Sequence, residues 1–268
     1  LVGSEMCIRD SDRIKNPKQT FKIAIAGKYT DLSDAYISVV ESLKHAGYTH
    51  SAKIDIKWIA SDECVNDEET KKILQDVDAL VVPGGFGVRG IEGKLNAIKY
   101  ARENNLPFLG LCLGMQCAVI EFARHVVGLE NANSTEFNEG TPYPVIDLMT
   151  EQKHIEGYGA TMRLGQFECR VLKGSKAHQA YGKDVIFERH RHRYEVNNEY
   201  KQMIADKGLV FSGVSPDGML CEMIEYPKND WFVACQFHPE FKSRPEHPHP
   251  LFQGLIDAVA QRKTKQEN

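Results

Sequence analysis

No stretch of this sequence approaches the roughly 18 consecutive apolar residues of a membrane-spanning helix, so no membrane contact is expected. The seven cysteines, at 7, 64, 112, 117, 169, 221 and 235, are odd in number and form no C-x-x-C pair. That argues against a disulfide framework or a zinc ribbon and points to reduced thiols in a cytoplasmic compartment. A basic excess is missing too: 33 Lys and Arg stand against 37 Asp and Glu, a net charge of −4. General nucleic-acid and membrane-surface binding are disfavoured by that balance. There is no P-loop, internal repeat, low-complexity tract or metal-ligand spacing, so the chain offers no metal or nucleotide site of its own. With 42% hydrophobic residues in 268, there is enough apolar material for a sizeable core. The chain does not begin with Met, and Leu1 to Ser11 (LVGSEMCIRDS) has neither strand nor helix periodicity. Residues 1–20 are read as a non-native-looking start and linker, 21–264 as the folded domain and 265–268 as a disordered tail.

What is present is organised around one junction. Pro107 to Leu111 is a short apolar run with the length of a buried strand. It passes through Cys112 into a segment with Met115, Ala118, Val119, Phe122 and Val126 at helical spacing. Gly110 and Gly114 flank the cysteine two places either side. The same spacing around a serine marks the nucleophile elbow, a strained strand-to-helix turn that presents a reactive atom over the sheet. A cysteine there stands at a helix N-terminus, whose partial positive charge favours a thiolate. The bland alternative is a buried structural cysteine; the paired glycines and the strand–helix context weigh against it. Cys117, one turn further on, is expected to be such a packing residue.

Upstream, Phe21–Ala26, Lys53–Ala60 and Ala79–Val82 read as strands. Asp34–His45 (stopped by Gly47), a short acidic segment from Asn66 to Gln75, and Gly93–Asn104 read as helices. Strands alternating with helices predict a mostly parallel sheet covered on both faces, with functional loops at the carboxyl ends of the strands. One such loop is Pro83-Gly84-Gly85-Phe86-Gly87-Val88-Arg89-Gly90. It lacks the G-K-[ST] ending of a P-loop; the other use of bare backbone amides is an oxyanion hole. Downstream, Asn131–Tyr143 and Thr150–Gly159 read as loops, Gly159–Leu164 and Phe167–Leu172 as two antiparallel strands, and Glu222–Glu225 with Trp231–Gln236 as a hairpin. His247-Pro248-His249 reads as a solvated loop before a final helix, Pro250–Arg262. Arg189 to Arg193 is basic enough to be weighed as a nucleic-acid patch, but it is short and sits in an acidic chain.

A nucleophilic cysteine needs a base and a group that orients the base. His238 and Glu240, two apart at the end of an apolar strand, offer both if the chain stays extended there.

PGGFGVRG, GLCLGMQ and FHPEF, in that order, resemble the three motifs of class I glutamine amidotransferases. GKYTDLSDAY, ENANSTEF, TMRLG and ERHRHRYEVN resemble the glutaminase domains of the CTP synthase family in particular, over about Phe21 to Arg262. The resemblance implies a three-layer α/β fold with a mostly parallel central sheet, helices on both faces and a small antiparallel addition. It implies Cys112 as nucleophile, His238 as base and then acid, and Glu240 as its orienting carboxylate. Gly85 and Leu113 would supply the oxyanion hole, and Gly85, Leu113, Gly114, Met115, Gln116, Glu136 and Arg193 would bind L-glutamine. It further implies an N-terminal synthetase (amidoligase) domain absent from this chain, where ATP and Mg2+ would act, with GTP as activator and a homotetramer as the full-length assembly. A cysteine peptidase or γ-glutamyl hydrolase built on the same elbow is the alternative.

Overall fold

In the computed structural model, residues 15–28, 33–148 and 162–267 are described. The expectations for residues 1–12, for the loop from Thr150 to Gly159 and for part of the GKYTDL motif lie outside them.

Four strands open the chain: β1 (Gln19–Gly27), β2 (Ala52–Ala60), β3 (Ala79–Val82) and β4 (Phe108–Leu111). Between them run α1 (Ile37–Thr49), α2 (Asp67–Leu74) and α3 (Ile91–Glu103). β3 and β4 are buried at every position, which is why they read as unbroken apolar runs rather than alternating ones. Asn66 caps α2 by accepting the N–H of Glu69 at 2.9 Å, the satisfaction of an orphan donor that Asn provides well. Gly47 does not stop a helix, as its position had implied. It lies inside α1, where a Cβ would come within 2.8 Å of Ile54 on β2, so the glycine is there for close helix–sheet approach.

The chain continues through α4 (Leu113–Phe122), β5 (Ala132–Ser134), β6 (Tyr143–Leu148), β7 (Arg163–Val171), α5 (Lys176–Tyr181), β8 (Val185–His192) and β9 (Tyr194–Val196). It ends with α6 (Asn198–Asp206), β10 (Val210–Val214), β11 (Cys221–Glu225), β12 (Phe232–Cys235) and α7 (Pro250–Glu267). Among the described residues, the main sheet has nine strands in the order β2-β1-β3-β4-β12-β11-β10-β7-β8. β2 to β12 pair in parallel, and from β12 outward every pairing is antiparallel. A separate three-stranded sheet, β5-β6-β9, has its β6–β9 pair antiparallel.

Apolar side chains from α3, α4 and α6 fill one face of the main sheet, among them Leu95, Ile98, Val119 and Ile204. The other face is filled from α1 and α7 by Val39, Leu43, Leu251, Leu255 and Val259. The result is the expected three-layer arrangement. Three local expectations are corrected. The 163–171 segment is one continuous strand, because Gly165 takes a positive-φ extended conformation within it rather than a turn. α7 runs on through the expected tail to Glu267. His249 is buried, held by Glu188 at 3.1 Å, and is no solvated loop residue.

Candidate active site

Three strand ends meet at one place. β4 delivers Cys112, which caps the N-terminus of α4 with φ 50° and ψ −101°. A non-glycine residue at positive φ is a strained turn. The flanking glycines are required by contact. A Cβ on Gly114 would sit 2.1 Å from the Val82 carbonyl oxygen of β3, and one on Gly110 would sit 2.9 Å from Ala234 of β12. The elbow is therefore wedged between the two neighbouring parallel strands. Its cysteine is buried, only 5% exposed.

His238 follows β12, and its backbone N–H donates to Arg189 at 2.8 Å. Its Nδ1 lies 2.8 Å from Glu240 Oε1. The chain does not stay extended to achieve this: Pro239–Phe241 is a 3-10 turn that swings the carboxylate back onto the ring. Burial pulls the His238 pKa down, but hydrogen bonds to Cys112 and Glu240, with the charge on each, outweigh it and raise the value to about 10. This setting favours an imidazolium.

The glycine loop after β3 closes over both groups. A Cβ on Gly84 would meet His238 Cε1 at 3.0 Å and Cys112 Cβ at 3.6 Å, and one on Gly85 would meet Leu113 Cδ2 at 3.4 Å. Gly85, Gly87 and Gly90 do stand in G-x-G-x-x-G order, the spacing of a dinucleotide turn. Here the loop is turned onto the cysteine and the histidine instead. Gly85 and Leu113 are thus neighbours, and the first N–H groups of α4 have no acceptor within their own helix.

A small pocket opens on Cys112 and is lined by Gly85, Phe86, Gln116, Glu136, His192, Arg193 and Tyr194. Every side chain expected to hold substrate from a distant motif is therefore gathered at the sulfur. Glu136, in the turn after β5, accepts the Gly87 N–H at 3.1 Å. Burial raises its pKa, while that hydrogen bond and the charges of Arg193 and Lys28 oppose the rise. Gly114 and Met115 do not line this pocket: Gly114 lies against Val82 and Met115 is fully buried in the core. Contacts from these two would have to come from backbone. Cys117 is likewise fully buried, which pushes its thiol up to about 12. Sequence reasoning missed Phe86, His192, Tyr194 and the buried Gln236; the last stands directly before Phe237-His238, which was the signal available. Among the described residues, no group of three or more His, Cys, Asp or Glu side chains is placed to hold a metal ion.

Behind the pocket wall lies a buried ionic cluster. Arg163 reaches Glu222 at 2.6 Å and Glu195 at 3.6 Å. His190 Nδ1 and His192 Nε2 are 2.9 Å apart, and their outer nitrogens face Glu222 at 3.5 Å and Glu195 at 3.3 Å. Burial, helped by the Arg163 charge, lowers His190 to about 2 and His192 to about 3, so both rings are neutral. The outer nitrogens make no hydrogen bond to either carboxylate, and burial raises Glu222 to about 7 and Glu195 well above the usual carboxylate range. The alternating basic residues of β8 thus point inward as His190 and His192 and outward as Arg189 and Arg191.

A strained cysteine elbow, an imidazole–carboxylate pair and a glycine loop at adjacent parallel strand ends define an amidotransferase-type site. Residues 31–258 match the family "Glutamine amidotransferase class-I", and the chain belongs to that family. Within it, the chain is similar to the solved glutaminase domain of Trypanosoma brucei CTPS with bound acivicin, at TM-score 0.84 and 39% identity, over 90% of this chain and 94% of that one. It therefore falls among the glutaminase domains of CTP synthases. The CTP synthase of Caldanaerobacter subterraneus is 57% identical over 92% of this chain and 46% of its own length. That of Moorella thermoacetica is 58% identical over 93% of this chain and 46% of its own. The chain spans about half the length of the curated relatives it matches.

Proposed function

We propose that this chain hydrolyses L-glutamine to glutamate and ammonia at Cys112. The observation that carries the reading is that the sulfur, the glycine loop and the opposite charges of Glu136 and Arg193 line one small pocket, while the His238–Glu240 pair reaches the same sulfur from the adjoining cavity across Gly84 and Gly85. Cys112 Sγ attacks the carboxamide carbon, and the backbone N–H groups of Gly85 and Leu113 receive the oxyanion. Removing one such donor typically costs about 10²–10³ in rate. His238, held by Glu240, passes a proton to the departing ammonia, leaving a glutamyl thioester. It then takes a proton from the water that releases glutamate. Glu136 suits the α-ammonium and Arg193 the α-carboxylate of the substrate.

In the whole protein, the ammonia would serve the ATP- and Mg2+-dependent amination of UTP to CTP on an amidoligase domain, with GTP as activator, in a tetramer. Supplying a separately expressed amidoligase domain should raise glutaminase turnover.

The test is glutamate release from glutamine, together with mass spectrometric mapping of the 6-diazo-5-oxo-norleucine adduct. The adduct is expected on Cys112. An adduct on Cys117, or cleavage of a peptide in place of glutamine, would overturn the reading.

A further inference from the structure

Cys112 has a second side-chain neighbour besides His238. Gln236, the last residue before Phe237-His238, is completely buried, and its Nε2 lies 3.6 Å from Cys112 Sγ. Its backbone N–H donates to Glu222 at 2.8 Å, which anchors it to the antiparallel half of the sheet. Its Oε1 accepts from Gln116 Nε2 at 3.2 Å, and Gln116 Nε2 also donates to the Tyr194 carbonyl at 3.0 Å.

The direction of this chain is fixed from one end. The Tyr194 carbonyl can only accept, so the Gln116 group facing it must be the NH2. That NH2 also faces Gln236, so the Gln236 atom opposite it must be the carbonyl oxygen. What remains for the sulfur is the Gln236 NH2. Reversing either amide would set donor against donor or acceptor against acceptor in a buried site, where unmade hydrogen bonds are costly. Both N–H groups of Gln116 are thereby used inside the protein, so any hydrogen bond it offers a ligand comes from Oε1, as an acceptor.

We propose that Gln236 is a further catalytic residue, whose amide N–H donates to Cys112 Sγ and holds the sulfur as a directed thiolate, with Gln116 and the Tyr194 carbonyl fixing the donor's orientation. The proposal rests on Cys112 being the nucleophile. Charge-assisted hydrogen bonds of this kind are stronger than neutral ones, and a donor aimed at sulfur favours the anion over the thiol. The relay also joins the pocket wall to the reacting atom, because Tyr194 follows Arg193 directly. The titratable or charged groups around the sulfur are His238 with Glu240, Cys235 on β12, His192 and Arg193 at the end of β8, and Glu136 across the pocket.

The experiment compares the parent chain with Gln236→Met, which keeps the length and removes the donor. The pH dependence of Cys112 alkylation by iodoacetamide is followed by peptide mass spectrometry, alongside steady-state glutamate release. The alkylation midpoint of the variant is expected about one pH unit higher, equivalent to about tenfold less thiolate at pH values below it. kcat should fall about tenfold or more, with KM within about twofold. A variant whose alkylation profile superimposes on the parent's would overturn the proposal, even if its activity were lower, because a merely structural role would leave the profile in place. Should Gln236→Met fail to fold, Gln116→Met removes the acceptor's partner while leaving Gln236 in place. A smaller upward shift is then expected, and no shift counts against the proposal. Failure of the nucleophile reading shows itself separately, as alkylation that leaves Cys112 unmodified while abolishing glutamate release.

Discussion

The two halves of the main sheet are built on opposite principles. In the parallel half, β3, β4 and β12 are buried at every position and wholly apolar, and the cysteine, the histidine and the glycine loop stand just beyond their ends. In the antiparallel half, β8 and β11 bury Glu188, His190, His192 and Glu222, with the largely covered Arg163 of β7 against them. Glu225 of β11 is also buried, where it accepts the first N–H groups of α5 at 3.0 and 3.2 Å, a placement the helix dipole favours. Arg193 and Tyr194, which line the pocket, extend directly from this charged wall. The reacting groups rest on close-packed apolar strands that permit little adjustment. The recognising groups rest beside a buried polar cluster held by the Arg163–Glu222, His190–His192 and Glu188–His249 hydrogen bonds, an arrangement that loses much when one partner is removed.

Removing one member of that network should give the largest loss of stability. Glu222→Ala leaves the largely covered Arg163 with one weaker partner and deprives His190 of its neighbour. Breaking a buried pair from one side costs about 3–5 kcal/mol, measurable by denaturant unfolding. A loss below about 1 kcal/mol would mean the cluster is dispensable and the contrast between the halves is false.

On the parallel side, Gly114→Ala forces a Cβ to within 2.1 Å of the Val82 carbonyl oxygen. Backbone cannot yield as a flexible side chain can, so overpacking of about 1–3 kcal/mol is expected. Glutamate release should fall about 10²-fold as the elbow shifts by about 1 Å. Full activity in this variant would show that β3 does not hold the elbow.

Recognition should separate from chemistry. Glu136→Gln and Arg193→Ala are each expected to raise KM for glutamine about 10- to 100-fold with kcat within about threefold, since these contacts exist in ground and transition states alike. An unchanged KM in both would remove them from the site.

The smallest effect is expected at the surface. Lys22 and Lys57 hold the half-exposed Asp76, whose pKa their hydrogen bonds lower to about 2. The stabilisation is present above the ordinary carboxylate range and is lost as pH falls through the lowered value. Solvent screening keeps such pairs weak. Asp76→Asn should lower Tm by no more than about 3 °C at neutral pH and less at pH 3.

The contrast also explains what the sequence disclosed. β3, β4 and the Cys112 elbow were legible because apolar runs and paired glycines report directly on a buried strand and a tight turn. β8 was not: in VIFERHRH the inward positions are Ile186, Glu188, His190 and His192, so the period of two was present but its buried phase was mostly polar. His249 was misread for the same reason, its partner Glu188 being 61 residues away. Glu136 and Arg193 carried no pattern of their own and came from family resemblance alone. Gln236 gave only its place directly before Phe237-His238, and a glutamine at a strand end becomes informative only once Gln116 and Cys112 are seen beside it.

The central claim is that the strained cysteine of the parallel half performs the chemistry. Glutamate release by folded Cys112→Ala, with thermal melting measured on the same preparation, tests it most directly. A fall of about 10⁴-fold or more, with Tm within about 3 °C of the parent, is the result expected. A folded Cys112→Ala protein that releases glutamate at the parent rate would contradict it.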